Sequence, residues 1–316
     1  MPGPQISVVI CTYNRAALLA RALLAFHEQK SDVAAEIIVV DNNSQDDTAD
    51  VVRRCAEDLC AILPVTYVHE PKQGLSRARN TGIAATTGQI LAFLDDDAVP
   101  NAGWLAAISD IFTNHPNVAA AGGPIDPAFE VPRPDWLGPG VEGYYSILDL
   151  GPNSRLFPRN RLPFGANMAV RRSALGEQRF SEQLGRNGAS LASGEEFALL
   201  AALRSRGHEI YYAPAMRVRH FIAKERLNVE WLMARSRAGG LSLALSAAGP
   251  AAMAQLLLRT LVDDAYWRAR QSLGIGCDQI LRMCRRAQYQ GIYSAVLPSR
   301  GDRIRLGLFA GMGDDR

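Results

Sequence analysis

Short apolar runs that each end in polar residues, with helix-length stretches between them, constrain this chain more than any other feature. Ile6-Ser7-Val8-Val9-Ile10-Cys11 ends at Thr12-Tyr13-Asn14-Arg15, and helical spacing follows at Leu18, Leu19, Ala22, Leu23 and Phe26. The run at 36–41 breaks at Asn42-Asn43-Ser44. Asp46-Asp47-Thr48 then opens a second helix, where acidic residues suit the dipole of the first turn. A third run covers 64–69, a helix covers 75–85, and 89–94 runs into Asp95-Asp96-Asp97. Apolar runs of this length without alternation read as buried parallel strands. Their alternation with helices predicts an α/β fold with a mostly parallel sheet flanked by helices. Ligands of such sheets bind outside the carboxyl ends of the strands. Thr12, Asp41 and the acidic triplet stand at those ends.

The texture changes after Pro124. Pro and Gly crowd 124–165 around Trp136, Tyr144 and Tyr145, which predicts long loops of the kind that cover a site. A strand is expected at 165–172, a helix at 195–206, short strands at 209–212 and 216–221, and mostly helix from Asn228 onward. With 48% hydrophobic residues in 316, the chain can bury a substantial core. Lys and Arg total 34 against 32 Asp and Glu, and no basic stripe marks the first two thirds, so no nucleic-acid partner is expected. Cys11, Cys55, Cys60, Cys277 and Cys284 show no zinc or redox spacing and read as reduced thiols, with Cys277 and Cys284 placed for one helix face. The start lacks the basic and apolar segments of a signal peptide, and no run reaches the length of a membrane span. Together with the reduced thiols, this predicts a cytoplasmic protein.

Particular residues carry chemistry, each with a blander alternative. Asp95, Asp96 and Asp97 crowd carboxylates that repel unless a cation joins them, and oxygen-rich sites suit Mg²⁺ or Mn²⁺ with substrate phosphates; the alternative is a solvated turn or helix cap. Asp41 suits a nucleobase N–H or a ribose hydroxyl, or else an Asx-turn. In Gly74-Leu75-Ser76-Arg77-Ala78-Arg79-Asn80-Thr81-Gly82, Arg77 and Arg79 suit phosphates, or else form an exposed basic face. Glu195 and Glu196 after Gly194 offer a general base, or else serve the helix dipole. His220 ends a strand as a structural group or a metal ligand.

The ordered set of these segments resembles the family 2 glycosyltransferases of the GT-A fold, bacterial type. It is carried by 8–15, 38–44, Gly74 to Gly82, Phe93 to Asp97, Phe164-Gly165-Ala166-Asn167-Met168-Ala169 and Gly194-Glu195-Glu196. The resemblance implies a catalytic domain at 1–227, with a nucleotide-binding half at 1–123 and an acceptor half at 124–227, followed by a helical region at 228–316. It implies that Thr12, Asn14 and Asp41 contact the nucleoside and that Arg79 and Asn80 lie near it or its phosphates. Asp95 and Asp96 would serve the nucleotide, and Asp97, with Asp95 and His220, the metal. Gly165, Ala166 and Asn167 would line the sugar and acceptor region. The family's acidic pair falls on Glu195-Glu196, with the base at the second position, where this chain has Glu instead of Asp.

The activity so implied is inverting transfer from a nucleotide-sugar, a UDP-sugar in expectation, to a hydroxyl of a cell-surface glycan or lipid-linked acceptor. Arg282, Arg285 and Arg286 beside Leu281 and Met283 read either as an ordinary packed helix or as one lying at the inner face of a membrane. A rival reading is a haloacid-dehalogenase-like phosphatase, since Asp95 to Val99 fits its Asp-x-Asp pattern; but that pattern follows the first strand, and here other strands come before it. A sugar nucleotidyltransferase would carry a Gly-rich loop where Cys11-Thr12-Tyr13-Asn14 stands. A catalytically inactive glycan- or nucleotide-binding protein would not need both acidic clusters.

Overall fold

In the computed structural model, which describes residues 5–29, 32–60, 62–188, 190–247, 249–272 and 278–296, the apolar runs form β1 (Ile6–Thr12), β2 (Ala35–Asp41), β3 (Val65–His69) and β4 (Ile90–Asp95). They lie side by side in the order β3-β2-β1-β4, all parallel. Nearly every residue of β1, β2 and β4 is buried, as strands covered on both faces require. β3 is the edge strand and leaves Tyr67 half exposed. The intervening helices are α1 (Ala16–Leu24), α2 (Thr48–Leu59) and α3 (Leu75–Ala85). α2 buries Val51, Val52, Cys55 and Leu59, the stripe its helical period provides.

Beyond the acidic turn the chain forms β5 (Ala98–Pro100), α4 (Trp104–Asn114), β6 (Val118–Gly122), β7 (Ile125–Phe129), β8 (Arg155–Leu156) and β9 (Asn167–Arg171). After the short α5 (Arg172–Leu175) come α6 (Glu195–Ser205), β10 (Glu209–Tyr212) and β11 (Val218–Ile222). The main sheet continues past β4 as β9-β6-β10-β8, giving eight strands among the described residues. β9 runs against both β4 and β6, and β8 against β10, so the sheet is mixed at this end rather than parallel throughout. A second sheet has the order β5-β11-β7, with β11 antiparallel to β5 and parallel to β7. The stretch 124–165 is largely irregular, as its Pro and Gly content predicts.

The chain divides into two compact units, Met1–Asn228 and Val229–Arg316. The second contains α7 (Val229–Leu245), α8 (Gly249–Ser272) and α9 (Gln279–Val296). α9 packs along α7 through buried Cys284, Ala287, Tyr289 and Ile292. Cys277, the expected partner of Cys284 on a helix face, lies outside the described residues; Cys11, Cys55, Cys60 and Cys284 are free thiols. No helix among the described residues is long and apolar enough to cross a membrane.

Candidate active site

Register alone sets Thr12 opposite Asp41 and Cys11 opposite Asp95, so the ends of β1, β2 and β4 share one edge. Asp95 ends β4, and Asp96 and Asp97 form the turn into β5. β11 pairs back on β5 with His220 beside Ala98, and the Phe221 N–H donates to the Asp97 carbonyl at 2.8 Å. That pairing sets His220 Nε2 3.0 Å from Asp97 Oδ1. One ligand atom from each of Asp95, Asp97 and His220 falls within a 4.8 Å span, a donor set of two carboxylates and an imidazole that suits a divalent cation.

The triplet is embedded in positive charge. The Thr12 hydroxyl donates to Asp96 Oδ2 at 2.8 Å, and Arg15 Nη1 reaches Asp96 Oδ1 at 3.1 Å and Asp97 Oδ2 at 2.9 Å. Arg226 Nη2 lies 3.4 Å from the same Asp97 oxygen. Burial works to raise the Asp97 carboxyl, but His220, Arg15 and Arg226 outweigh it and hold the group well below the usual carboxylate range. Asp96 goes the other way: burial, helped by the charge of Asp97, lifts it to about 6 against the pull of Arg15 and Thr12.

Arg79, on α3, is the hub on the other side. Its Nη1 bonds Glu195 Oε1 at 2.6 Å, its Nη2 bonds Asp95 Oδ1 at 3.2 Å, and its guanidinium lies over the Phe180 ring at 5.4 Å. A Cβ at Gly165 would run into the Arg79 guanidinium, which Glu195 and Asp95 hold in place, so glycine lets the backbone pass it. α6 starts at Gly194, whose φ of 97° is the left-handed conformation glycine takes without strain. Glu195 and Glu196 follow, both buried. The Ser76 hydroxyl donates to the Leu184 carbonyl at 2.7 Å, and the Leu75 N–H to the Arg186 carbonyl at 2.8 Å; these bonds tie the segment before α6 to α3.

The remaining expected residues divide by what their polar atoms do. Asn14 has φ 52°, its N–H donates to Ser44 Oγ at 2.9 Å, and its Oδ1 accepts from the Gln45 N–H at 2.7 Å, so it joins the loops after β1 and β2. Asp41 accepts from the Ser44 N–H at 2.8 Å and from the Tyr67 hydroxyl at 2.7 Å, a local turn contact plus an aromatic partner that the sequence did not reveal. Asn80 donates to the Phe180 carbonyl and accepts from its N–H, both at 2.9 Å, so its side chain fixes the Phe180 backbone. Arg77 pairs with Glu182. Ala166 is buried, and Asn167 is fully so. The Asn167 amide accepts from Trp104 Nε1 at 2.9 Å and donates to the Pro124 and Met216 carbonyls at 3.1 and 2.6 Å. With these partners inside the fold, Asn167 anchors the start of β9.

The sequence model described as "Glycosyl transferase family 2" matches residues 7–178, more than half of the chain. The chain belongs to glycosyl transferase family 2. Among relatives of this glycosyltransferase, a glucosyl-dolichyl phosphate glucuronosyltransferase of Haloferax volcanii is 26% identical over 246 residues, 73% of this chain and 74% of that one. The succinoglycan biosynthesis protein ExoM of Rhizobium meliloti is 28% identical over 237 residues, 73% and 71% of the two chains. The mannosyltransferase PcManGT from Pyrobaculum calidifontis, solved with GDP-Man and Mn²⁺, has the same fold at a TM-score of 0.57 and 21% identity, covering 97% of this chain and 79% of its own. Family membership makes the chain a transferase and displaces the phosphatase, nucleotidyltransferase and inactive-binder readings. Arg15 and Arg226 are site residues the sequence reading did not assign. Arg15 stood in the first motif without a role, and Arg226 lies outside every motif.

Proposed function

We propose that this family 2 glycosyltransferase moves a sugar, with inversion, from a UDP-sugar to a hydroxyl of a cell-surface polysaccharide or lipid-linked glycan. The observation that carries this is the convergence of Asp95 at the carboxyl end of β4, Asp97 in the turn that follows and His220 on β11. These residues would hold Mg²⁺ or Mn²⁺, which when bound supplies positive charge for the departing nucleoside diphosphate. Thr12, Asn14 and Asp41 would receive the nucleoside. Glu195 bonds Arg79 at 2.6 Å, and Glu196, buried beside it in the first turn of α6 at the second position of the family's acidic pair, would take the proton of the acceptor hydroxyl. The acceptor oxygen then bonds the anomeric carbon as the bond from that carbon to the diphosphate oxygen breaks, and the diphosphate leaves with the bonding electrons. The polysaccharide and dolichyl-phosphate relatives support the acceptor class, and the neighbour bound to GDP-Man and Mn²⁺ supports a nucleotide-sugar with a cation.

A thermal-shift panel of UDP, GDP, dTDP and CMP, each with Mn²⁺ or with EDTA, tests the donor. Specific binding raises the midpoint by mass action. UDP with Mn²⁺ is expected to give the largest shift; equal shifts in Mn²⁺ and EDTA would refute the cation, and a larger shift with GDP would reassign the nucleotide.

Peripheral membrane contact is part of the same reading. On α9, Arg285 and Arg286 are exposed with Met283 near them, and on α8 Leu258, Leu261, Val262 and Tyr266 are exposed on one side of the helix, with Arg259 exposed near them and Arg268 paired to Asp264. An apolar stripe with basic flanks suits an anionic interface. Flotation with anionic liposomes at low salt should carry the protein upward, and its absence from the floated fraction would retire the membrane contact.

A further inference from the structure

Asp97 is a ligand candidate whose charge is already answered. Arg15 Nη1 and Arg226 Nη2 lie 2.9 and 3.4 Å from its Oδ2, while Oδ1 faces His220. The side chains of Asp97 and Arg226 are 4% and 14% exposed, so water screens little of this interaction. Asp96 shares Arg15, and Asp95 is held by Arg79. A divalent cation approaching Asp97 therefore meets Arg15 and Arg226 behind the same carboxylate, and like charges repel. A diphosphate reverses the balance. Its anionic oxygens match guanidinium donors at least as well as a carboxylate does, and they give both arginines a second partner.

We propose that Arg15 and Arg226 are positioning residues that neutralise Asp97 in the donor-free enzyme and turn to the donor diphosphate when it arrives, so that cation and donor enter together. This rests on the reading of a cation at Asp95, Asp97 and His220. Arg226 ends the 3₁₀ turn Lys224–Arg226 just after β11, the strand that bears His220, so a ligand and its counter-charge ride on neighbouring segments.

Isothermal titration of the full chain with MnCl₂ alone, with UDP in EDTA, and with MnCl₂ at saturating UDP reads the coupling. In the wild type, Mn²⁺ should tighten in the presence of UDP, and UDP in the presence of Mn²⁺ by the same factor. Arg226→Met keeps length and removes charge. Mn²⁺ alone should then bind roughly fivefold tighter or more, while UDP with Mn²⁺ binds weaker, shrinking the coupling factor. These opposite signs separate the proposal from a structural role, which would weaken both. Arg226→Lys should return both affinities toward the wild type. Arg15→Met, at a more exposed position, should repeat the pattern should Arg226→Met fail to fold. Unchanged or weaker binding of Mn²⁺ alone in the folded variants overturns the role of the arginines. Failure of the wild type to bind UDP with Mn²⁺ would count against the donor reading, while the Mn²⁺-alone comparison would still decide the arginines.

Discussion

The eight-stranded sheet brings Thr12, Asp41 and Asp95 to one edge by register, whereas the three-stranded sheet brings His220 to Asp97 by pairing segments far apart in the chain. In the first case each residue ends its own apolar run, and parallel pairing does the rest. In the second, β5 is three residues long and follows directly on the acidic turn, so its partner β11 decides what faces Asp97. The larger sheet carries the residues proposed for the nucleotide, and the smaller one completes the cluster of Asp97, His220 and Arg226 proposed for the cation and its counter-charge. Residues delivered by register should tolerate substitution with local losses, and residues delivered by long-range pairing should lose function and fold together.

The largest effect is expected at α6. Glu196→Gln preserves shape but cannot take a proton, so transfer should fall by ~10²–10⁴-fold while UDP binding persists. Glu195→Gln should act differently, because it uncouples Arg79 from its 2.6 Å partner and loosens the arginine that also holds Asp95. Its signature is a lower thermal midpoint with weakened nucleotide binding. Steady-state turnover and thermal shift measured on both variants decide the assignment: near-normal turnover in Glu196→Gln with loss in Glu195→Gln would exchange the two roles.

Asp97→Ala tests the smaller sheet's contribution. It should abolish the Mn²⁺-dependent part of UDP stabilisation, which at a ligand concentration of about 100 Kd is worth roughly 2.7 kcal/mol. Retention of an EDTA-sensitive UDP shift in this variant would remove Asp97 from the cation site.

Next comes Asn167→Ala, which separates anchoring from ligand contact. It leaves Trp104 Nε1 and the carbonyls of Pro124 and Met216 without their amide partner. Buried groups stripped of partners cost about 1–3 kcal/mol, so chemical denaturation should show a loss of that order. UDP affinity of the folded fraction should match the wild type, and a selective loss of affinity would return Asn167 to the ligand region.

What the sequence made legible follows the same division. β1, β2, β3, β4 and the helices between them were readable because each is a local pattern: an apolar run or a helical stripe with polar punctuation. The acidic triplet is legible for the same reason, and the order of the motifs pointed to the family, which the match over residues 7–178 bears out. The reversed direction of β9 was not readable, since a five-residue buried strand has the same composition whichever way it runs. Nor was the place of Arg226 beside Asp97, which arises because β11 returns to β5. The partners of the Asn80 and Asn167 amides are likewise not legible, because a motif position says that a side chain matters without saying what it bonds.

The smallest effect is expected at the edge of the larger sheet, at Tyr67. Its hydroxyl donates to Asp41 Oδ2 at 2.7 Å, and the partner carboxylate, with burial as the larger cause, pushes the phenol up to about 12. The phenol is therefore a donor throughout the range in which the protein would be assayed. Asp41 keeps its second contact, from the Ser44 N–H, whether or not Tyr67 is present. Tyr67→Phe thus removes one bond to a charged group on a half-exposed strand, and the fold should lose about 1 kcal/mol or less, since such a site is open to replacement by water. If Asp41 reads the nucleobase, its orientation depends on both contacts, so the variant should discriminate less between UDP and GDP in the thermal-shift panel even though its own midpoint barely moves. A variant with unchanged discrimination would show that the Ser44 N–H alone fixes Asp41, and a large fall in midpoint would show that the edge strand depends on this bond more than its exposure implies.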